Sequence, residues 1–102
     1  MLIYLGIKKY KATNSIVYYQ VITSDFPEVN DFFIGVDKEQ SKILFFKSES
    51  FDAAPDYILD LNDMDREINI EWLSPRIIHH IWSRVSKALH QKTLPDDISY
   101  CA

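Results

Sequence analysis

Residues 74–91 constrain the fold of this chain more than any other stretch, because after a capping serine and a proline they divide from Arg76 onward into an apolar half and a polar half. Ser74 is a favourable N-cap, and Pro75 then falls at the first helical position, where its missing N–H costs nothing. Leu73 before the cap and Ile78 one turn inside it can close a hydrophobic staple. At 100° per residue, Ile77, Ile78, Ile81, Trp82, Val85, Ala88 and Leu89 share an arc of roughly 140°. Every polar residue from Arg76 to Gln91 lies on the opposite arc, and Pro95 bars much further extension. A helix over about 75–91 with so clean a division needs an apolar surface to lie on, which the preceding residues must build.

Those residues read as strands. Leu2 to Ile7 continues as a lysine-rich extension to Lys11, and Ile16 to Thr23 is rich in β-branched and aromatic residues. The pair predicts a hairpin turning at Ala12 to Ser15. Asp31 to Val36 and Lys42 to Lys47 flank the charged stretch Asp37 to Ser41, a second hairpin. Tyr57, Leu59 and Leu61 alternate as in a half-buried strand, and Ile68 to Trp72 is a candidate short sixth strand. With 102 residues there is length for one domain. The expectation is an α+β fold: an antiparallel β-meander of about five strands (about 2–72), one C-terminal amphipathic helix packed on one face, and a short tail over 92–102. One helix covers one face. Yet Tyr18, Ile22, Leu44 and Phe46 make the opposite side apolar as well, so the loops at 24–31 and 48–56, a second subunit or a partner must cover it.

Glycine is scarce, and its two positions, Gly6 and Gly35, lie far apart. A dinucleotide fingerprint, a P-loop and a nucleophile elbow each need closely spaced glycines, so all three are excluded. Cys101 is the single cysteine, so no internal disulfide is available, and a reducing, cytoplasmic setting is expected. Met1 to Ile7 is too short to span a membrane and lacks the basic flank and cleavage pattern of a signal peptide.

The net charge of −4 is unevenly distributed. Residues 1–24 hold three lysines and no acid, whereas residues 25–71 hold four cations against thirteen acids, a local charge of −9. Residues 72–102 return to +2, with four cations against two acids. An acidic middle repels nucleic acid and attracts basic partners.

Several chemistries can be tested on spacing. His79, His80 and His90 include no i, i+4 pair, the spacing at which two imidazoles on a helix share a metal. Asp63-Met64-Asp65-Arg66-Glu67 begins like a calcium loop but has Ile68 where the glycine belongs. Ser83 lies one turn from His79, but a serine in a regular exposed helix has no oxyanion hole. No cofactor, no metal and no enzymatic activity are expected. Two charged surfaces remain. The acidic one comprises Asp52, Asp56, Tyr57, Asp60, Asp63, Asp65 and Glu67; the basic one, on the helix, comprises Arg76, His80, Arg84 and Lys87.

In size, acidity, aromatic content and lack of catalytic motifs the chain resembles small bacterial immunity proteins of toxin–immunity systems. The resemblance implies a non-enzymatic module that binds a cognate toxin, often a basic nuclease, and blocks its active site. The acidic segment would then supply steering, and Phe51, Tyr57 and Trp72 aromatic anchors. Two other readings stay open. One is a nucleic-acid or phosphate-ligand binder using the basic helix face. The other is a structural subunit that dimerises through the second sheet face.

Overall fold

The computed structural model describes residues 4–23, 30–47, 54–62, 72–91 and 94–101. Along the chain come β1 (Tyr4–Ala12), β2 (Ile16–Ile22), β3 (Phe32–Asp37), β4 (Lys42–Phe46), β5 (Tyr57–Asp60), α1 (Pro75–His90) and β6 (Tyr100–Cys101). The strands form one antiparallel sheet in the order β5-β4-β3-β2-β1-β6, so β1 to β5 are a meander and the fold is α+β.

The helix begins where local chemistry places it. The Ser74 hydroxyl accepts the Arg76 N–H at 3.3 Å and Pro75 opens the first turn. Leu73 and Ile78 are both buried in the main core. Ile77, Ile78, Ile81, Val85 and Ala88 form the buried stripe, with Trp82 and Leu89 half-buried beside it. Burying a Val or Ile side chain contributes about 1.5–3 kcal/mol relative to leaving it exposed, so this stripe is a principal anchor of the fold.

Strand register explains what the stripe rests on. Paired residues on neighbouring strands share a face. Tyr19↔Ile34↔Phe45↔Tyr57 form one row across β2 to β5, and Val17↔Val36↔Ile43↔Leu59 form the next. Both rows lie in the core cluster that contains the helix residues. The opposite face carries the rows Tyr18↔Gly35↔Leu44↔Ile58 and Gln20↔Phe33↔Phe46. Tyr18, Phe33 and Phe46 on it are buried, with Ile16 and Leu44 packed around them, so this face holds a second, smaller core. The loops expected to cover it, 24–31 and 48–56, lie mostly outside the described residues.

Two details differ from expectation. The β3–β4 connection is shorter, because Asp37 stays in the ladder opposite Lys42 and Ile16. Its carboxylate accepts the N–H groups of Glu39 and Gln40 at 3.0 and 3.1 Å, which folds the turn, and Ser41 closes it at φ 54°. In β1 the register slips between Lys9 and Lys11. The resulting bulge turns Tyr10 onto the second face, where its ring meets Phe33 edge-on at 5.2 Å.

The larger difference concerns the end of the chain. Residues 94–101, expected as a tail, return to the sheet and lie along β1. The Lys9 N–H donates to the Asp96 carbonyl at 2.7 Å, the Ile98 N–H to the Ile7 carbonyl at 2.9 Å, and the Ile7 N–H to the Ser99 hydroxyl at 2.9 Å. Tyr100 and Cys101 then pair with Leu5 and Tyr4 as β6. The candidate strand at Ile68 to Trp72 lies outside the described residues except for Trp72, which sits in a turn. Among the described residues, no helix is long and apolar enough to cross a membrane.

Candidate functional site

Of the acidic surface, Asp56, Tyr57 and Asp60 are described; Asp52, Asp63, Asp65 and Glu67, together with Phe51, lie outside the described residues. The three described residues occupy β5 and its entry, at one edge of the sheet. Asp56 is exposed and acts as a clamp: its carboxylate accepts the Lys47 N–H at 2.7 Å, while its own N–H donates to the Phe45 carbonyl at 2.8 Å. Asp60 closes the strand, its carboxylate accepting the Asn62 N–H at 2.9 Å. On the face away from the helix, Asp60 neighbours Lys42 and, one strand further, Asp37.

The aromatic anchors are placed differently from the acids. Tyr57 is half-buried, its ring 6.2 Å from Phe45, and Trp72 meets Phe32 edge-on at 5.4 Å. Both rings support the main core. The apolar side chain that β5 presents outward is Ile58, 48% exposed. Sequence reasoning missed it, although the inward alternation of Tyr57 and Leu59 required it to point the other way. Edge strand, exposed isoleucine and flanking carboxylates together make a short acid–apolar–acid strip beside main-chain groups that, among the described residues, no strand pairs on the outer side.

The basic helix face does not act as one stripe. Arg76 is exposed at the N-terminal end. His80 is half-buried, and its imidazole is held below its ordinary pKa by burial, then by the nearby charge of Arg76 and by His79. Its contribution to the positive charge of this face at neutral pH is therefore reduced. Arg84 and Lys87 instead line a cleft of about 210 Å³ together with Asp97 and Ser99 of the returning C-terminal segment. Hydrogen bonds from the Ser99 side chain and N–H hold the Asp97 carboxyl below the usual carboxylate range, with a smaller contribution from Lys8. Half of the cationic face thus shares a cleft with one of the protein's own acids.

Tyr19 ties this segment to the sheet. It is fully buried, and its hydroxyl donates to the Pro95 carbonyl at 2.8 Å. Burial, then the Asp96 carboxylate, push the phenol up to about 12. The ordinary value is near 10, so the contribution to folding is complete below pH 10 and is lost as pH rises through 12. We expect the stability advantage of the wild type over Tyr19→Phe to shrink by about 1–2 kcal/mol across that window, after allowance for nearby solvent. Urea titrations of both proteins at pH 8 and pH 11.5 read it directly; an unchanged gap would show that the phenol does not hold the C-terminal segment.

Among the described residues, no group of three or more His, Cys, Asp or Glu side chains converges as a metal site. No protein-family model matches the chain, and no curated protein and no solved structure is significantly similar to it.

Proposed function

We propose that this chain is a non-enzymatic protein-binding module that occludes a basic partner, in the manner of an immunity protein neutralising a basic nuclease toxin, and that β5 is the centre of its contact surface. The observation that supports this reading is the strip Asp56–Ile58–Asp60 on the sheet edge. An edge strand offers main-chain donors and acceptors to an added strand. Carboxylates at both ends repel the same edge of a second copy and draw in a cationic segment, so one pair of charges disfavours self-pairing and selects a basic partner. Ile58 supplies the apolar contact between them. The −9 charge of residues 25–71, read from the sequence, favours and speeds encounter with a basic partner.

The test is binding to a panel of basic secreted nuclease domains, measured as association and dissociation rates at two salt concentrations. Asp56→Asn with Asp60→Asn keeps an acceptor oxygen for the Lys47 and Asn62 N–H groups while removing both charges. Association should slow by about tenfold at low salt, and the salt dependence should flatten. A neutralised variant that associates like the wild type at both salt levels would rule out the acidic edge as the contact surface. Failure of every basic domain to bind would rule out the toxin reading.

A further inference from the structure

A second site lies where α1 ends. The helix stops at His90, with Gln91 as its C-cap, and the β1–β2 and β3–β4 turns, at one end of the antiparallel sheet, contribute to the same cavity as the last helical turn. The two turns stand side by side, the Lys38 N–H donating to the Ser15 carbonyl at 3.4 Å. Between them and the helix end is a cavity of about 480 Å³, within the roughly 300–1,000 Å³ typical of small-molecule sites.

Its floor is apolar. Val17, Leu89 and Leu94 line it, and Ala12 pairs with Val17 on the helix-facing side of the sheet. The next row in that layer carries the large side chains Tyr19, Ile34 and Phe45, whereas Ala12 contributes a single methyl to the cavity lining. Its rim is cationic, formed by Lys9 and Lys38. Lys9 pairs with Tyr19 on the otherwise apolar face, and its ammonium forms an ion pair with the Asp96 carboxylate at 2.9 Å. That carboxylate is 87% exposed, so the ion pair is largely solvated and contributes little. A ligand anion can therefore replace it at small cost. Asp37, next to Lys38, spends its carboxylate on the turn N–H groups.

An apolar floor beside two ammonium groups complements an anion that carries an apolar body. We propose that this cavity binds a small carboxylate with an apolar body, of medium-chain acyl size, with the body against Val17, Leu89 and Leu94 and the carboxylate between Lys9 and Lys38. This site does not involve the β5 edge, and its test is independent of any protein partner.

Decanoate, decanol and acetate separate the two requirements, because they offer body plus charge, body alone and charge alone. Binding is followed by calorimetry and by backbone amide shifts. Decanoate should bind at least about tenfold more tightly than either of the others, and should shift the amides of residues 12–17, Lys38, Leu89 and Leu94. Lys9→Gln with Lys38→Gln should erase the preference over decanol, and Ala12→Phe, which fills the floor, should weaken both ligands. Thermal midpoints close to that of the wild type establish that the variants fold; should Ala12→Phe not fold, the lysine pair at the exposed rim decides. Equal affinity for decanoate and decanol, shifts clustered elsewhere, or no binding of decanoate at about 1 mM each overturn the proposal.

Discussion

Phe45→Ala should destabilise the protein by about 3–5 kcal/mol, the largest effect expected of any single truncation considered. Phe45 is fully buried at the middle of the row Tyr19↔Ile34↔Phe45↔Tyr57, the layer on which α1 lies. Its ring touches two others, with centroids 6.3 Å from Phe32 and 6.2 Å from Tyr57. Truncation removes the transfer free energy of the ring and leaves a cavity that a ladder-bonded strand and a capped helix cannot close. A domain of this size has about 5–15 kcal/mol in total, so the loss is a large share of it. Urea denaturation should show a lower midpoint at unchanged slope, the signature of altered stability and not of an altered unfolded state. Ile58→Ala is the matched control: it lies on the neighbouring strand, is 48% exposed, and should cost within about 0.5 kcal/mol. If the two substitutions cost the same, the face assignment of β4 and β5 is wrong.

That face assignment could be reached from sequence for β5, where Tyr57, Leu59 and Leu61 alternate, because alternation is a local signal. In β2 to β4 Val17, Tyr19, Val21, Ile34 and Phe45 are interleaved with Tyr18, Ile22, Phe33, Leu44 and Phe46, so both faces are apolar and the pattern alone does not say which one the helix covers. The helix was as legible as β5, since its cap, its first proline and its stripe lie within one continuous stretch. What was not legible depends on distant contacts. Tyr100 and Cys101 are two residues, too few to show a period. They are held by bonds such as that from the Ile7 N–H to the Ser99 hydroxyl, 92 positions apart. The β-branched and aromatic residues after the Pro95-Asp96-Asp97 turn were the only local hint.

The sites divide along the same line. The acidity around β5 can be read directly, but its position at an edge follows from strand order, which no local pattern encodes. The helix wheel gave four polar positions equal standing, Arg76, His80, Arg84 and Lys87. Only the return of Asp97 and Ser99 beside Arg84 and Lys87 distinguishes the two halves. Lys9 shows the limit most clearly. In sequence it belongs to a solvated lysine run, whereas the register beside the bulge places it on the helix-facing side, at the rim of a cavity.

Gly35→Val should cost about 2 kcal/mol through overpacking, and the cost should depend on Tyr18. Gly35 has no left-handed backbone, so conformational freedom is not why glycine stands there. Space is the reason. A Cβ at this position would lie 3.1 Å from Tyr18 Cε1 and 3.2 Å from both Tyr18 Cδ1 and Ile16 Cγ2. Tyr18 is the direct cross-strand neighbour, and its ring lies over the bare backbone of Gly35. The ring has little room to retreat, with Phe46 at 6.1 Å and the Lys11 ammonium 5.3 Å from its centroid. Glycine in a strand interior costs about 0.5–1 kcal/mol relative to alanine, and a β-branched residue favours a strand. A net loss for valine would therefore mean that the clash outweighs both gains. The double-mutant cycle isolates the cause. In a Tyr18→Ala background the valine has an empty neighbour, and Gly35→Val should become neutral or stabilising, a coupling of about 1–3 kcal/mol. Additive losses would mean that the ring is not what excludes a side chain, and that the small core on the second face is packed loosely enough to yield.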